Sequence, residues 1–275
     1  RDTGGVTVVV YDQTCAAELR RRRKRGTAPD PDIRVFINED VCEGCGDCSV
    51  KSNCVSIEPI ETEFGRKRVI NQSSCNKDMS CLEGFCPSFV TLSGAVPRKV
   101  AAGAGALQDI VAGIAPPERP SIQAPYDILV TGIGGTGVIT IGALLAMAAH
   151  IEGSGVTVLD QIGLAQKNGA VMSHIRIAAD PASIHAVKIA AGHASLVLGC
   201  DAVVAASSDA LARIGQGTTR TVINRHLAPT AAFTLDPDTE FDGETLFDVI
   251  RDAAGANLTE LVDATRIATA LIGDA

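Results

Sequence analysis

Residues 42–54 read CEGCGDCSVKSNC, and the spacing of their sulfurs decides what kind of domain surrounds them. Cys42, Cys45 and Cys48 form C-x2-C-x2-C, with Gly44 and Gly46 available for tight turns. Three thiolates so spaced can each hold one iron of a single four-iron cage. In two-cluster folds the fourth ligand comes from a distant cysteine followed by proline, here Cys86-Pro87. Cys54 then crosses to a second site with Cys75 and Cys81. Five residues separate Cys48 from Cys54 where the simplest pattern has three, so this loop is longer.

The second site lies in SSCNKDMSCLEGFCP, residues 73–87. Asp78 occupies the slot where the triplet would place its middle cysteine. The expectation is a second cluster held by Cys54, Cys75 and Cys81, with Asp78 or solvent at the fourth iron. Oxygen binds a thiolate-preferring iron weakly, so a 4Fe-4S form would interconvert with a 3Fe-4S form. Zinc is the competing metal, in a binding module with no catalysis. It takes tetrahedral sets often including histidine, yet all five histidines follow residue 149. Seven cysteines between positions 42 and 86 are too odd in number, in a chain read as intracellular, to be a disulfide framework. Cys15 and Cys200 fall outside the set and read as small core residues.

Outward from the cysteines, residues 54–75 alternate and turn at Gly65, a β-hairpin pattern. Glu58, Glu61 and Glu63 would face Lys67 and Arg68 across it on a solvated surface. Upstream, GGVTVVVY (4–11) reads as a buried strand, followed by a short helix ended by Gly26 and a Pro/Asp break at 27–32. Downstream, 93–124 is an Ala/Gly/Pro-rich linker with one short helix near 106–113. From 125 on, strands predicted at 127–132, 156–160, 173–178, 195–199, 219–224 and 258–263 alternate with helical runs at 138–151 and 243–255. That order predicts a Rossmann-like α/β domain with a mostly parallel sheet. The whole is a multidomain chain, a small α+β unit before the α/β one.

TGIGGTG places Gly132, Gly134, Gly135 and Gly137 after a strand and before a helix, a geometry that suits a phosphate. Asp160 ends the next strand, near where a ribose-binding carboxylate sits in dinucleotide folds. Residues 161–174 read as an unusually long loop carrying Gln161, Gln166, Lys167 and Asn168, polar groups suited to a ligand. These residues keep open an NAD-linked iron–sulfur oxidoreductase as the alternative reading, beside a tight turn without a ligand.

The net charge of −8 hides a basic run, Arg20 to Arg25; the remainder carries 18 basic and 32 acidic groups. Nucleic acid is excluded as partner, because stacking aromatics are scarce at 3% and the remainder repels phosphates. A membrane is excluded too, the longest nearly apolar run (138–149) falling short of the roughly 20 residues a span needs. The reading is a soluble, cytoplasmic protein. Beginning at Arg1 in mid-pattern, the chain is expected to be a segment of a longer polypeptide.

Five stretches, YDQTCAAELRRRRKRG, CEGCGDCSVKSNC, EFGRKRVINQSSCNKDMSCLEGFCPSF, TGIGGTGVITIGALLAMAAH and LDQIGLAQKNGAVMSHIRIA, give the chain a resemblance. It resembles the fused bacterial indolepyruvate:ferredoxin oxidoreductases of the 2-oxoacid:ferredoxin oxidoreductase superfamily. The resemblance implies that 1–28 end a thiamine-diphosphate-binding domain, that 29–92 form a two-cluster ferredoxin-like domain, and that 125–275 form a truncated γ-type domain. It also implies oxidative decarboxylation of an aryl pyruvate on thiamine diphosphate and magnesium bound elsewhere in the full, homo-oligomeric enzyme. Electrons would pass through the clusters to ferredoxin, and the acyl group to coenzyme A. The glycine loop would then serve coenzyme A or an interdomain contact rather than NAD. No thiamine motif occurs here, so no catalytic residue is assigned and the segment alone would not turn over substrate.

Overall fold

The computed structural model describes residues 4–10, 12–95, 112–115, 121–163, 169–227, 236 and 242–272. The chain divides into two compact units, Arg1–Val96 and Pro97–Ala275. Among the described residues no helix is long and apolar enough to cross a membrane.

The first unit holds a short helix α1 (Ala16–Lys24), strand β1 (Ile33–Ile37), helix α2 (Asp47–Ser52), and strands β2 (Ile57–Thr62), β3 (Gly65–Ile70) and β4 (Phe89–Ser93). β1 pairs antiparallel with β4, and β2 with β3, giving two separate two-stranded ribbons. Each ribbon turns its apolar positions inward. Val35, Ile37, Ile57 and Ile70 make a small core that Cys42 joins and against which Cys48, Cys54, Cys75 and Cys81 pack.

Two expectations change in this unit. Residues 4–10 form no strand. Val6, Val8, Val9 and Val10 are exposed, since among the described residues no strand accepts their backbone groups. The hairpin is present, but its cations divide differently from the expected solvated face. Arg66 pairs with Glu61 at 2.6 Å, Lys67 Nζ donates to Cys42 O at 2.6 Å, and Arg68 is buried at 1% exposure.

The second unit is a six-stranded sheet in the order β10-β9-β8-β5-β7-β6, formed by β5 (Tyr126–Ile133), β6 (Gly155–Ile162), β7 (Ala170–Ala178), β8 (Leu196–Gly199), β9 (Arg220–Asn224) and β10 (Thr259–Val262). Four neighbours run parallel, while β7 lies antiparallel between β5 and β6. The sheet is therefore mixed, with three parallel and two antiparallel pairings. β5 is apolar along nearly its whole length because helices cover both its faces. Helix α3 (Val138–Ile151) packs Val138, Ile141 and Leu145 on Ile128, Val130 and Ile175. On the other face, short helices α4 (Ala202–Ala205) and α5 (Ser208–Leu211) and helix α6 (Gly243–Ala254) bury Ala205, Ala210, Phe247 and Ile250 against Leu129, Val197 and Ile223. Helix α7 (Ala264–Ile272) follows β10.

The described residues of the predicted long loop at 161–174 are strand except at 163 and 169. Gln161 and Ile162 belong to β6, and residues 170–174 to β7, paired Gln161 to Met172 and Ile162 to Val171. β-branched residues and alternation (Val156, Val158; Val171, Ser173, Ile175) explain the pairing, which polar content had masked. The expected helix near 106–113 lies outside the described residues apart from its last two positions.

Candidate metal centre and glycine loop

The two cysteine triplets sit on matching backbone. Asn38 N–H donates to Ser88 O and Asn71 N–H to Ser56 O, both at 2.8 Å. Each asparagine then folds the next residues into a turn. Asn38 Oδ1 accepts from Asp40 N–H and Asn71 Oδ1 from Ser73 N–H, both at 3.0 Å. Cys42 N–H returns to Asn38 O and Cys75 N–H to Asn71 O, again at 3.0 Å. Two residues on, the N–H of Gly44 and that of Lys77 each point to the preceding cysteine Sγ at 3.4 Å. The left-handed residues repeat as well: Gly44 and Gly46 in the first loop, Lys77 and Met79 in the second. A constant offset of 33 residues relates the loop positions from Asn38 to Cys48 with those from Asn71 to Cys81, as from Cys42 to Cys75. The unit is an internal duplication, and Asp78 stands where its twin has Cys45. The repeated spacing of Asn-x3-Cys, at 38 and 42 and again at 71 and 75, was the sequence signal for it.

A lysine and a methionine tolerate left-handed backbone at a cost of about 1 kcal/mol each, so the second loop is held in shape by its surroundings. The first loop lies so close to β3 that a Cβ on Gly44 would come within 2.1 Å of Arg66 O.

Electrostatics divide the sulfurs as spacing does. Burial pushes the Cys48 thiol up, and the neighbouring Cys42 adds to it, while Ser49 and Arg68 oppose. Burial also lifts the Cys81 thiol, to about 11, with Cys54, Cys75 and Asp78 adding their negative charge. Thus Cys42 and Cys48 share one surrounding, and Cys54, Cys75, Cys81 and Asp78 another. Cys45 and Cys86 are exposed, and Cys86 Sγ lies 3.0 Å from Ser88 Oγ. Asp78 is exposed; its Oδ1 accepts from Ser80 N–H at 3.1 Å and from Ser80 Oγ at 2.9 Å.

A single tetrahedral ion would need sulfurs about 3.8 Å apart. Among the described residues no three His, Cys, Asp or Glu side chains are placed to hold one metal ion. A cage of several irons gives each thiolate its own iron and accepts a wider set. Soft donors, N–H groups aimed at sulfur and a duplicated loop fit iron–sulfur clusters of that kind.

The basic run lies beside the second loop, which sequence reasoning missed. Arg20 donates to Ser73 O and Arg23 to Asn76 O, one on each side of Cys75. Lys77 Nζ holds Asp30 at 2.8 Å and Pro31 O at 3.2 Å. The i,i+3 spacing of the two arginines puts them on one helix face.

In the second unit Gly132 is the last but one residue of β5, where a Cβ would meet Thr136 Oγ1 at 2.5 Å and Cys200 Cβ at 2.9 Å. Gly134 N–H donates to Gly169 O at 2.7 Å and Thr136 N–H to Ile133 O at 3.1 Å, so both amides are engaged. Gly135 and Gly137 are left-handed, with open space above them, at the start of α3. Asp160 is exposed on the edge strand β6. It is level with Ser173 of β7, which is level with Val130 of β5, so a full strand separates it from the glycine strand. Gln161 Oε1 lies 2.9 Å from Nε2 of His174, whose Nδ1 is 3.4 Å from Ile189 N–H. Since Nδ1 accepts, Nε2 carries the proton and donates to Gln161. Burial, with Lys188 and Arg213 nearby, pushes His174 down to about 4. Lys167 and Asn168 lie outside the described residues.

Sequence reading passed over Asp201. It follows β8 at the strand ends where the chain order reverses, the place open α/β sheets use for ligands. Its Oδ1 caps α4 by accepting from Val204 N–H at 2.9 Å; Oδ2 is buried without a partner, and burial pushes the carboxyl up. An Asp two residues after a glycine-ended strand, immediately before the apolar run Ala202–Ala205, was the available signal. At the opposite strand ends an open groove is lined by Tyr126, His193, Ser195, Thr218 and Arg220.

Residues 127–275 match the family described as pyruvate ferredoxin/flavodoxin oxidoreductase. Over 80 residues the chain is 32% identical to the indolepyruvate oxidoreductase subunit IorB of Thermococcus kodakarensis, and equally so to that of Pyrococcus horikoshii. Each match covers 29% of the chain and only 38% of the relative, well under half the length of these curated proteins. Among solved structures, pyruvate oxidoreductase subunit PORC of Thermotoga maritima is 21% identical, covering 54% of this chain and 67% of that one, with a TM-score of 0.37.

Proposed function

The chain belongs to the pyruvate ferredoxin/flavodoxin oxidoreductase family, and on that premise we propose that it is the electron-relay and γ-type part of a 2-oxoacid:ferredoxin oxidoreductase acting on an aryl pyruvate. The observation that carries the relay is the duplicated loop, with thiols at equivalent backbone positions in both copies. The aryl substrate rests on the indolepyruvate relatives.

When bound, two iron–sulfur clusters supply single-electron carriers between the oxidised acyl centre and ferredoxin. Cys42, Cys45, Cys48 and Cys86 would hold one. Cys54, Cys75 and Cys81, with Asp78, would hold the other. The chain's own work is to keep these groups in place. Asn38 and Asn71 set the two turns, and Lys67 and Lys77 tie them to β3 and to Asp30. Raised thiols such as Cys81 must lose protons on metal binding, so assembly should be easier at higher pH. In the second unit the open side of Gly135 and Gly137 at the start of α3 is offered for a phosphate of coenzyme A. The intervening strand β7 and the engaged Gly134 amide weigh against NAD.

Anaerobic purification of the chain tests the relay. Equal iron and acid-labile sulfide, with two reducible EPR signals, are expected. Colourless protein with stoichiometric zinc would refute it. In the complete enzyme, ferredoxin reduction with an aryl pyruvate should exceed that with pyruvate.

A further inference from the structure

Different charges surround the two cysteine loops: the second exposes Asp78 and Glu83 of its own but lies beside the cations of α1, which stands outside the duplicated residues. The first loop presents Glu39, Asp40, Glu43 and Asp47, of which, among the described residues, only Asp47 has an ion pair, with Lys51 Nζ at 2.8 Å. In α1, Arg20 and Arg23 turn inward to the carbonyls of Ser73 and Asn76. Arg21 and Arg22 keep 60% and 50% of their side chains exposed, and Lys24 and Arg25 are also exposed. The one acid of the helix, Glu18, is shared between Arg21 and Arg22 through exposed pairs at 3.5 and 3.2 Å, which neutralise little. In a chain of net charge −8, these cations are concentrated directly over the loop of Cys75 and Asp78. The hydrogen bonds of Arg20 and Arg23 fix them there, so the patch belongs to the site and does not wander with a loose tail.

We infer that the outer face of α1 is the docking surface for an acidic electron-carrier protein, seated at the second of the two cysteine sites. Charge decides the end. A carrier with an acidic face is repelled by Glu39, Asp40 and Glu43 and attracted by Arg21, Arg22, Lys24 and Arg25. Such steering raises association rates and orients the encounter, and salt weakens it. The seated carrier would take up one electron from the reduced cluster that Cys54, Cys75 and Cys81, with Asp78, would hold, that cluster being oxidised by one electron; no covalent bond is made or broken and no proton need move. This inference rests on the relay reading above and adds its exit.

The test uses the anaerobically purified chain and, as probe, an acidic two-cluster bacterial ferredoxin, with binding followed by surface plasmon resonance over a salt series. Arg21→Glu with Arg22→Glu is the test variant. Glu39→Lys with Glu43→Lys is its counterpart at the other end. Iron, sulfide and circular dichroism equal to wild type establish that each is folded and loaded. The expected result is a loss of about tenfold or more in affinity for the arginine variant, with a flatter salt dependence, and no loss for the glutamate variant. Wild-type affinity in the arginine variant, with both clusters present, overturns the docking surface and leaves the relay standing. Binding of a single-stranded oligonucleotide through α1 by loaded chain that binds no ferredoxin also overturns it. Chain without iron and sulfide overturns the relay itself.

Discussion

At the residue scale, Asp78 and Cys45 occupy one position of a repeated loop and differ only in what they offer a metal. A carboxylate holds a soft iron less firmly than a thiolate, so oxidised wild-type protein exposed briefly to air should show a three-iron EPR signal. Asp78→Cys should abolish that signal and raise the iron content; an unchanged signal in the variant would remove Asp78 from the ligand set. Thiol chemistry gives a second check. Cys15, Cys45 and Cys86 are all exposed, so exposure alone predicts equal alkylation. In the loaded protein under argon only Cys15 should react quickly with iodoacetamide. After iron removal Cys45 and Cys86 should join it. Mass spectrometry reads the order; fast Cys45 or Cys86 in loaded protein contradicts their ligation. His174 makes a pH prediction for the second unit. Its folded value near 4 lies below the ordinary 6.5, so the unfolded chain binds the proton first. The stability it contributes is complete above pH 6.5 and is lost as pH falls through 4, about 3 kcal/mol in all. His174→Gln should flatten the fall in melting temperature of that unit between pH 6.5 and 4.

At the element scale, close approach separates loops that merely turn from loops that seat a site. Gly65 and Gly44 are both left-handed, at φ of 88° and 75°. A Cβ on Gly65 meets open space, whereas one on Gly44 meets Arg66 O. Gly65→Ala should therefore cost only backbone strain, about 1 kcal/mol. Gly44→Ala should push the first loop off β3, and its iron should leave to a chelator several times faster than from Gly65→Ala. Equal release rates would mean that the first loop does not depend on β3. Local pattern also governs how much was legible in the sequence. The hairpin, α3 and the strands of the second sheet each carry a strong local signature, and the structure contains those elements. The β6–β7 hairpin was read as a loop because Gln161, Ser173 and His174 look polar. Yet Ser173 and His174 are fully buried, and His174 is matched by Gln161 and Ile189. Burial of polar residues is a tertiary fact that no single strand announces. Residues 4–10 fail in the opposite sense: β-branched composition favours a strand, but a strand needs a neighbour. Lys67 and Arg68 were misplaced for a third reason, since alternation gives the face but not which face the cysteine loops cover.

At the scale of the whole molecule, the two units rest on different physics. The second has a six-stranded sheet with apolar clusters on both faces. The first has two separate two-stranded ribbons and a core of four aliphatic side chains joined by Cys42. Such ribbons are marginal alone, and small domains with thin cores depend on staples or metals. If the sulfurs hold clusters, their binding free energy is folding free energy for this unit and for this unit only. Removing iron with a chelator should then leave hydrogen exchange slow in Tyr126–Ile133 and Ala170–Ala178. The same treatment should release the amides of Ile33–Ile37, Ile57–Thr62 and Phe89–Ser93, because the loops joining these ribbons are the ones that lose their anchor. Protection lost from both units together would make them one cooperative body. Protection kept in both would mean that the cysteine loops are shaped by Asn38, Asn71 and the lysine ties alone, with metal adding electrons but no structure.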